Sequence, residues 1–373
     1  VNSSTAHGAG DEALAFHWPR IQPTPLRGSL KACHEDFIVE EILPQSFTQF
    51  SGTGEHLWVW LKKTGANTEW AARQLASACE IPVRHVGYAG LKDRHGITSQ
   101  WFSLQLPQRR DKDSINAALP PELRVLDAHW HSRKLRTGAL SGNAFTITLR
   151  HIEGDKKAAE TVLESIRLHG FPNYFGAQRF GRNGHNILQA RKSLSSGRLP
   201  RQRHRRGLLL SAARSFLFNQ ILAHRIHQGC WDRVIAGDVL QLSGSRSRFV
   251  AGETREELAQ LQHRLETRDL HPTAPLWGQG APASLHEAHQ LELAAVSAQE
   301  ALCRGLESAG LKQDRRAIRC VPENLQWQWL GAESEPAAQP VLQLRFRLPA
   351  GSYATELLAE LGQFEQPGGH EKA

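Results

Sequence analysis

The run Val341-Leu342-Gln343-Leu344-Arg345-Phe346-Arg347-Leu348 alternates without a break. Leu342, Leu344, Phe346 and Leu348 fall on one side and Gln343, Arg345 and Arg347 on the other, the period-two pattern of a strand with one face buried and one in water. It stands near the end of a chain of 373 residues, after a long stretch whose pattern is helical. The other strand-like runs lie near the start. Phe37-Ile38-Val39 is one, and Leu57-Trp58-Val59-Trp60-Leu61, bounded by Gly52, Gly54 and Gly65, is another. Val83 to Tyr88, Ile97 to Leu106 and Ala144 to Leu149 continue the series, the second with Phe102, Leu104 and Leu106 on one face. Asn67 to Ala78 reads as a helix capped by Asn67 or Thr68, and Ala158 to His169 as one ended by Gly170.

Beyond Gly170 the pattern is helical. A segment from Ser211 carries Phe216, Leu217, Ile221 and Ile226 as far as Gly229. Thr254-x-x-Glu257 and Ser284-x-x-Glu287 read as capping boxes, the second opening a helix that runs through Leu291, Leu302 and Leu306 to Gly310. Strands, then helices, then a strand predict an α+β architecture. The C-terminal strand rejoins the first sheet, giving a discontinuous domain of residues 28–169 and 321–361 interrupted by a mainly helical insertion over 170–320. Residues 1–27, rich in Gly, Pro and small polar residues, are expected to be loose, and 362–373 to be a tail.

With 40% hydrophobic and 22% charged residues, the composition excludes disordered, collagen-like and disulfide-scaffold classes. Five cysteines, Cys33, Cys79, Cys230, Cys303 and Cys320, are far apart and form no C-x-x-C pair, so neither a disulfide framework nor a cysteine zinc site is expected. No segment approaches the roughly 18 uninterrupted apolar residues of a membrane span, and no signal-peptide layout is seen. A cytoplasmic protein is expected.

Lys and Arg number 45 against 37 Asp and Glu, a net charge of +8. The distribution says more than the total: no acid occurs between Glu164 and Asp232, while that stretch holds 12 Lys or Arg. Its densest part is Arg198, Arg201, Arg203, Arg205 and Arg206, with Pro200 breaking any helix there. The bland reading is a solvated basic loop. The long absence of acids favours a surface that tracks phosphates, and hence a nucleic-acid partner.

The segment Gly87-Tyr88-Ala89-Gly90-Leu91-Lys92-Asp93-Arg94-His95-Gly96-Ile97-Thr98-Ser99-Gln100 carries the chemistry. A strand enters a glycine-containing loop, Asp93 sits between Lys92 and Arg94, and a second strand follows. The cations would hold the carboxylate ionised, fit to act as nucleophile or base toward a phosphate-bearing substrate. Equally, Asp93 could serve only as a turn residue paired with Arg94.

This run resembles the active-site loop of the TruD family of tRNA pseudouridine synthases. Four other pieces resemble family motifs in the same order: Lys31 to Phe37, Arg133-Lys134-Leu135-Arg136 through Gly142-Asn143-Ala144-Phe145, Asn173-Tyr174-Phe175-Gly176-Ala177-Gln178-Arg179-Phe180-Gly181, and Leu348-Pro349-Ala350-Gly351-Ser352-Tyr353-Ala354-Thr355. The resemblance covers the chain from about residue 28 to 361. The resemblance implies a pseudouridine-synthase-like sheet, mixed and mainly antiparallel with flanking helices, plus an inserted, mainly helical α/β domain.

It further implies that Asp93 is the catalytic carboxylate, with Lys31 as its charge partner, and that Phe37, Asn143, Phe145 and Tyr353 bind the target uridine. The family's C-terminal aromatic is Phe; Tyr353 keeps the ring and adds a hydroxyl. Lys92, Arg94, Arg179, Arg201, Arg203, Arg205 and Arg206 are expected to meet the RNA backbone. The implied reaction converts a tRNA uridine, U13, to pseudouridine in a flipped-out base. It is redox-neutral, so no cofactor or metal is expected. His286-Glu287-Ala288-His289 has the wrong spacing for a zinc helix, and His224 and His227 lack a third ligand. The protein is expected to act as a monomer on tRNA, with no protein partner and no membrane. Two other classes fit parts of the pattern: an RNA chaperone with Asp93 as a structural ion pair, and a nucleoside glycosidase, which would need a second catalytic acid.

Overall fold

The computed structural model describes residues 16–47, 49–331 and 340–366. These divide into two compact units, 23–170 with 321–366 and 171–320 with 16–22. The first begins with β1 (Leu26–Leu30), β2 (Phe37–Ile42), β3 (His56–Thr64), α1 (Thr68–Ala78), β4 (Val86–Tyr88) and β5 (Ile97–Gln105). It continues with α2 (Lys112–Ala117), β6 (Leu123–His131), β7 (Gly142–Gly154) and α3 (Lys156–His169). Helix α1 starts where its sequence dictates: the Asn67 side chain accepts a hydrogen bond from Trp70 N at 2.7 Å, satisfying a backbone donor that the first turn leaves free. Its Ala71, Leu75 and Ala76 bury against Leu57, Val59, Leu61, Phe102 and Leu104. The strand expected from Val83 begins later, because Pro82 leads into a 3-10 turn over Val83–His85 and β4 starts at Val86.

The second unit contains β8 (Phe171–Pro172), α4 (His185–Ser195), α5 (Arg203–His227), β9 (Val239–Leu242), β10 (Arg248–Val250) and α6 (Arg255–Glu266). β11 (Leu270–Leu276), α7 (His286–Val296), α8 (Glu300–Ser308), β12 (Asp314–Ala317) and β13 (Arg319–Cys320) complete it. Four strands form a sheet in the order β10-β9-β11-β12. Helix α5 is the spine, burying Phe216, Leu217, Phe218, Ile221 and Leu222. It begins at Arg203, well before Ser211, so Arg203, Arg205 and Arg206 of the basic run form its first turn, while Arg198 and Arg201 precede it. Ser284 does not cap α7: Leu285 takes that position and the serine hydroxyl donates to buried Glu292. The helix expected to reach Gly310 is two, α7 and α8, parted by a 3-10 turn over Ser297–Gln299.

The chain returns as β14 (Glu323–Leu330), β15 (Val341–Pro349), α9 (Ala354–Leu361) and β16 (Gly362–Glu365). These join the first unit's ten-stranded sheet, whose main path runs β14-β15-β7-β2-β5-β3-β6, with β1 against β7 and β16, and β4 against β5. Only β1/β16 and β2/β5 are parallel pairs. Leu342, Leu344, Phe346 and Leu348 are buried, as the alternation requires. Both supposed loose ends need correction. β1 begins at Leu26, and residues 16–22 belong to the second unit, where Phe16 lies 4.9 Å from Phe180 and Trp18 stacks on Tyr174 at 5.6 Å between centroids. Residues 1–15 lie outside the described residues. The supposed tail starts as β16, whose Gly362 approaches Leu26 O so closely that a Cβ would lie 2.3 Å from it. Among the described residues, no helix is long and apolar enough to cross a membrane.

Candidate active site

Strand β3 points Leu57, Val59 and Leu61 into the core, and two residues further along the same face it carries Lys63. The register places Lys63 opposite Thr98 and Leu61 opposite Gln100 on β5. Val39 of β2 is opposite Thr98, and Val39 and Glu41 are opposite Phe145 and Asn143 of β7. Paired residues share a face. Lys63, Thr98, Gln100, Glu41 and Asn143 therefore form a polar band across four strands of a face that is otherwise apolar. The first four of these side chains are buried.

The loop between β4 and β5, residues 89–96, is tied to this band along its length. Gln100 Nε2 donates to Gly90 O at 2.9 Å, and its Oε1 accepts from Thr68 Oγ1 at 2.9 Å. The same hydroxyl accepts from Lys92 N at 2.9 Å. Lys92 Nζ pairs with Glu41 at 2.9 Å, both side chains being almost wholly buried, and the other Glu41 oxygen accepts from Trp101 N at 3.1 Å. Lys63 Nζ donates to Asp93 O at 3.1 Å and to Ala66 O at 2.7 Å. Gly96 closes the loop against β2, where a Cβ would lie 2.4 Å from Phe37 O, so no larger residue fits without moving backbone.

Held in this way, Asp93 keeps its carboxylate accessible, with 37% of the side chain exposed. Oδ2 is ion-paired and hydrogen-bonded to Lys31 Nζ, and Oδ1 accepts from His95 N at 3.1 Å. Partial burial pushes the carboxyl up, but the Lys31 hydrogen bond and charge, with the His95 N–H, outweigh it and hold the group below its usual range. Asp93 is thus ionised at neutral pH and its orientation is fixed. Lys31 sits in the left-handed region at φ +61°, a conformation of some cost for a non-glycine residue. Its ammonium lies 4.1 Å from the centre of the Phe37 ring. Burial pushes the Lys63 ammonium down to about 8, against the opposing pull of Asp93.

Of the other expected uridine-binding residues, Phe37, Asn143 and Phe145 lie on the same sheet and Tyr353 follows its strand β15. Phe37 and Phe145 are mostly buried, their rings 6.4 Å apart, and Phe145 stacks on Phe346 at 5.3 Å. Asn143, two residues before Phe145 on its face of β7, has a buried Oδ1 without a hydrogen-bond partner among the described residues. An unmet buried acceptor costs free energy and calls for an explanation, such as a ligand donor. Half-buried Tyr353 immediately precedes α9. The turn leading to it is fastened beside the start of β7 by Ala350 N donating to Ser141 O at 2.9 Å.

One expectation fails within this unit. Lys92 does not present its charge to an RNA backbone, because its ammonium is committed to Glu41 inside the fold. Arg94 is exposed. In the second unit, Arg179 donates to Ser211 Oγ at 3.2 Å, and Arg201, Arg203, Arg205 and Arg206 are all exposed. His224 and His227 line a cleft with Phe16, Trp18 and Gln220. Among the described residues, no group of three or more His, Cys, Asp or Glu converges on a metal position. Sequence reasoning missed Glu41, Lys63, Thr68 and Gln100. The signal was available for the first two: each is a charged residue at an inward position, Glu41 after Phe37 and Val39, Lys63 after Leu57, Val59 and Leu61.

The family model described as tRNA pseudouridine synthase D (TruD) matches residues 21–190 and 189–361. The chain belongs to this family. It is accordingly an isomerase that converts a uridine of tRNA to pseudouridine. A tRNA pseudouridine synthase D of Nitrosococcus oceani is 45% identical over 366 residues, covering 98% of both chains. One of Pseudomonas fluorescens is 46% identical over 344 residues, covering 91% of this chain and 94% of its own. A crystal structure from Methanosarcina mazei assigned to the same family superposes with a TM-score of 0.74 over 93% of this chain and 96% of that one. At 22% identity it shows the shared fold.

Proposed function

We propose that the protein isomerises U13 of tRNA, with Asp93 as the reacting carboxylate and without a cofactor. The observation that carries this reading is the state of Asp93: a partly exposed carboxylate, ionised by Lys31 and fixed on both oxygens. The isomerisation breaks the bond from uracil N1 to ribose C1′ and forms one from C5 to C1′; the proton lost from C5 is balanced by one gained at N1. Asp93 attacks C1′ or removes the C2′ proton, and both routes require the ionised form. The redox-neutral balance calls for no electron carrier.

The detached uracil must be held while it turns. Asn143 Oδ1, an acceptor with no hydrogen-bond partner among the described residues, suits an imide N–H. Half-buried Tyr353 offers aromatic surface, and stacking of one base on such a surface contributes about 1–3 kcal/mol; Phe37 and Phe145 are mostly buried. Taking the uridine out of folded tRNA costs a few kcal/mol, which phosphate contacts from Arg94, Arg179, Arg201, Arg203, Arg205 and Arg206 would offset. In this reading the first unit is the catalytic domain, the second the insertion that grips tRNA, and a cytoplasmic monomer suffices. The test is incubation with unmodified tRNA followed by mapping of pseudouridine at every position. Modification confined to U13 is expected. Modification elsewhere, or release of free uracil, would contradict the reading.

A further inference from the structure

The polar band beneath the Asp93 loop contains a buried cation, Lys63, that takes no direct part in the reaction. Lys63 is wholly buried, so it cannot touch substrate. Among the described residues its ammonium has no carboxylate within ion-pair distance, in contrast to Lys31 and Lys92. An unpaired buried cation is costly, and the pattern of β3 offers a cheaper alternative. Leu57, Val59 and Leu61 occupy the preceding inward positions, and a fourth apolar residue would continue the same core.

What Lys63 does instead is bridge two segments. One hydrogen bond goes to Ala66 O, in the connection leading into α1, and the other to the main-chain carbonyl of Asp93 itself. The carbonyl position fixes the peptide plane after Asp93 and with it the direction in which its side chain leaves the backbone. Lys31 holds the same residue by its carboxylate. Two lysines from different segments thus grip Asp93 from its two ends.

We propose that Lys63 is a positioning residue for the reaction, pinning the main chain at Asp93 so that the carboxylate meets the ribose already oriented. The inference rests on Asp93 being the reacting group. Misplacing a reacting group by about 1 Å costs on the order of 100-fold in rate, which sets the scale of the effect.

The experiment compares wild type, Lys63→Met, Lys63→Gln and Asp93→Asn in full-length protein. It measures the single-turnover rate at saturating tRNA, tRNA affinity and thermal unfolding. Lys63→Met, which fills similar space without a donor, is expected to react about 100-fold slower with tRNA affinity unchanged. Lys63→Gln, keeping an amide N–H donor group without the charge, is expected to fall between Lys63→Met and wild type. A folded Lys63→Met that reacts at the wild-type rate would overturn the proposal. So would failure of both variants to fold, which would make the lysine a structural residue. If Asp93→Asn stays active, the reading of Asp93 itself fails. If Asp93→Asn is inert while Lys63→Met is fast, only the inference about Lys63 fails.

Discussion

At the scale of single residues, the site is an arrangement of cations around one loop. Lys31 faces the Asp93 carboxylate, Lys63 its carbonyl, and Lys92 is neutralised by Glu41. Partial burial alone would raise the Asp93 pKa, and Lys31 reverses the sign. Removing that cation in Lys31→Met should therefore let the carboxyl rise. The acid limb of the pH–rate profile is expected to move to higher pH, because a larger share of Asp93 is protonated and inert at any mildly acidic pH. An unmoved limb would mean that Lys31 does not govern the ionisation. Asp93 and its partner Lys31 were legible in the sequence through their motif context. Lys63 was overlooked, because Lys62-Lys63 looks like an exposed pair of charges. The inward run of Leu57, Val59 and Leu61 was the signal that Lys63 faces the core and Lys62 faces water, as the burial of the two confirms. Glu41 was hidden in the same way beside exposed Glu40.

At the scale of elements, α5 is informative because its start opposes good helix design. Arg203, Arg205 and Arg206 occupy its first turn, no acid is present there, and the N-cap Gln202 makes no capping hydrogen bond. Cations at a helix N-terminus face the positive end of the macrodipole, at a cost of about 0.3–1 kcal/mol each. A helix built for stability alone would carry Asp or Glu there, as α6 does with Glu256 and Glu257. Replacing Arg201, Arg203, Arg205 and Arg206 together by Gln is expected to leave thermal stability equal or higher while weakening tRNA binding. The slope of log affinity against log salt should flatten by about 3. An unchanged slope would identify the run as a solvated surface. The sequence located this charge but not its helix, since apolar periodicity begins only at Leu209. It misread Ser284 because that serine satisfies a buried carboxylate rather than a helix end, a choice set by tertiary packing.

At the scale of the whole molecule, segments far apart in sequence complete one sheet. β15 lies between β7 and β14, and β16 pairs in parallel with β1. The alternation of residues 341–348 was strong enough to predict the first of these returns. β1 and β16 were missed because each is short and finds its partners far along the chain, β1 on β7 and β16 on β1. What the sheet achieves is to present one band of polar side chains, drawn from β2, β3, β5 and β7, under the loop that carries Asp93. As a member of its family the chain is an isomerase, and in the proposed mechanism Asp93 is its reacting group. The decisive measurement is pseudouridine formation in tRNA by Asp93→Asn, with tRNA binding measured in parallel. Binding close to wild type with no pseudouridine is the expected result, since the amide fills the same space but is neither base nor nucleophile. Pseudouridine formation at the wild-type rate would contradict the role assigned to Asp93.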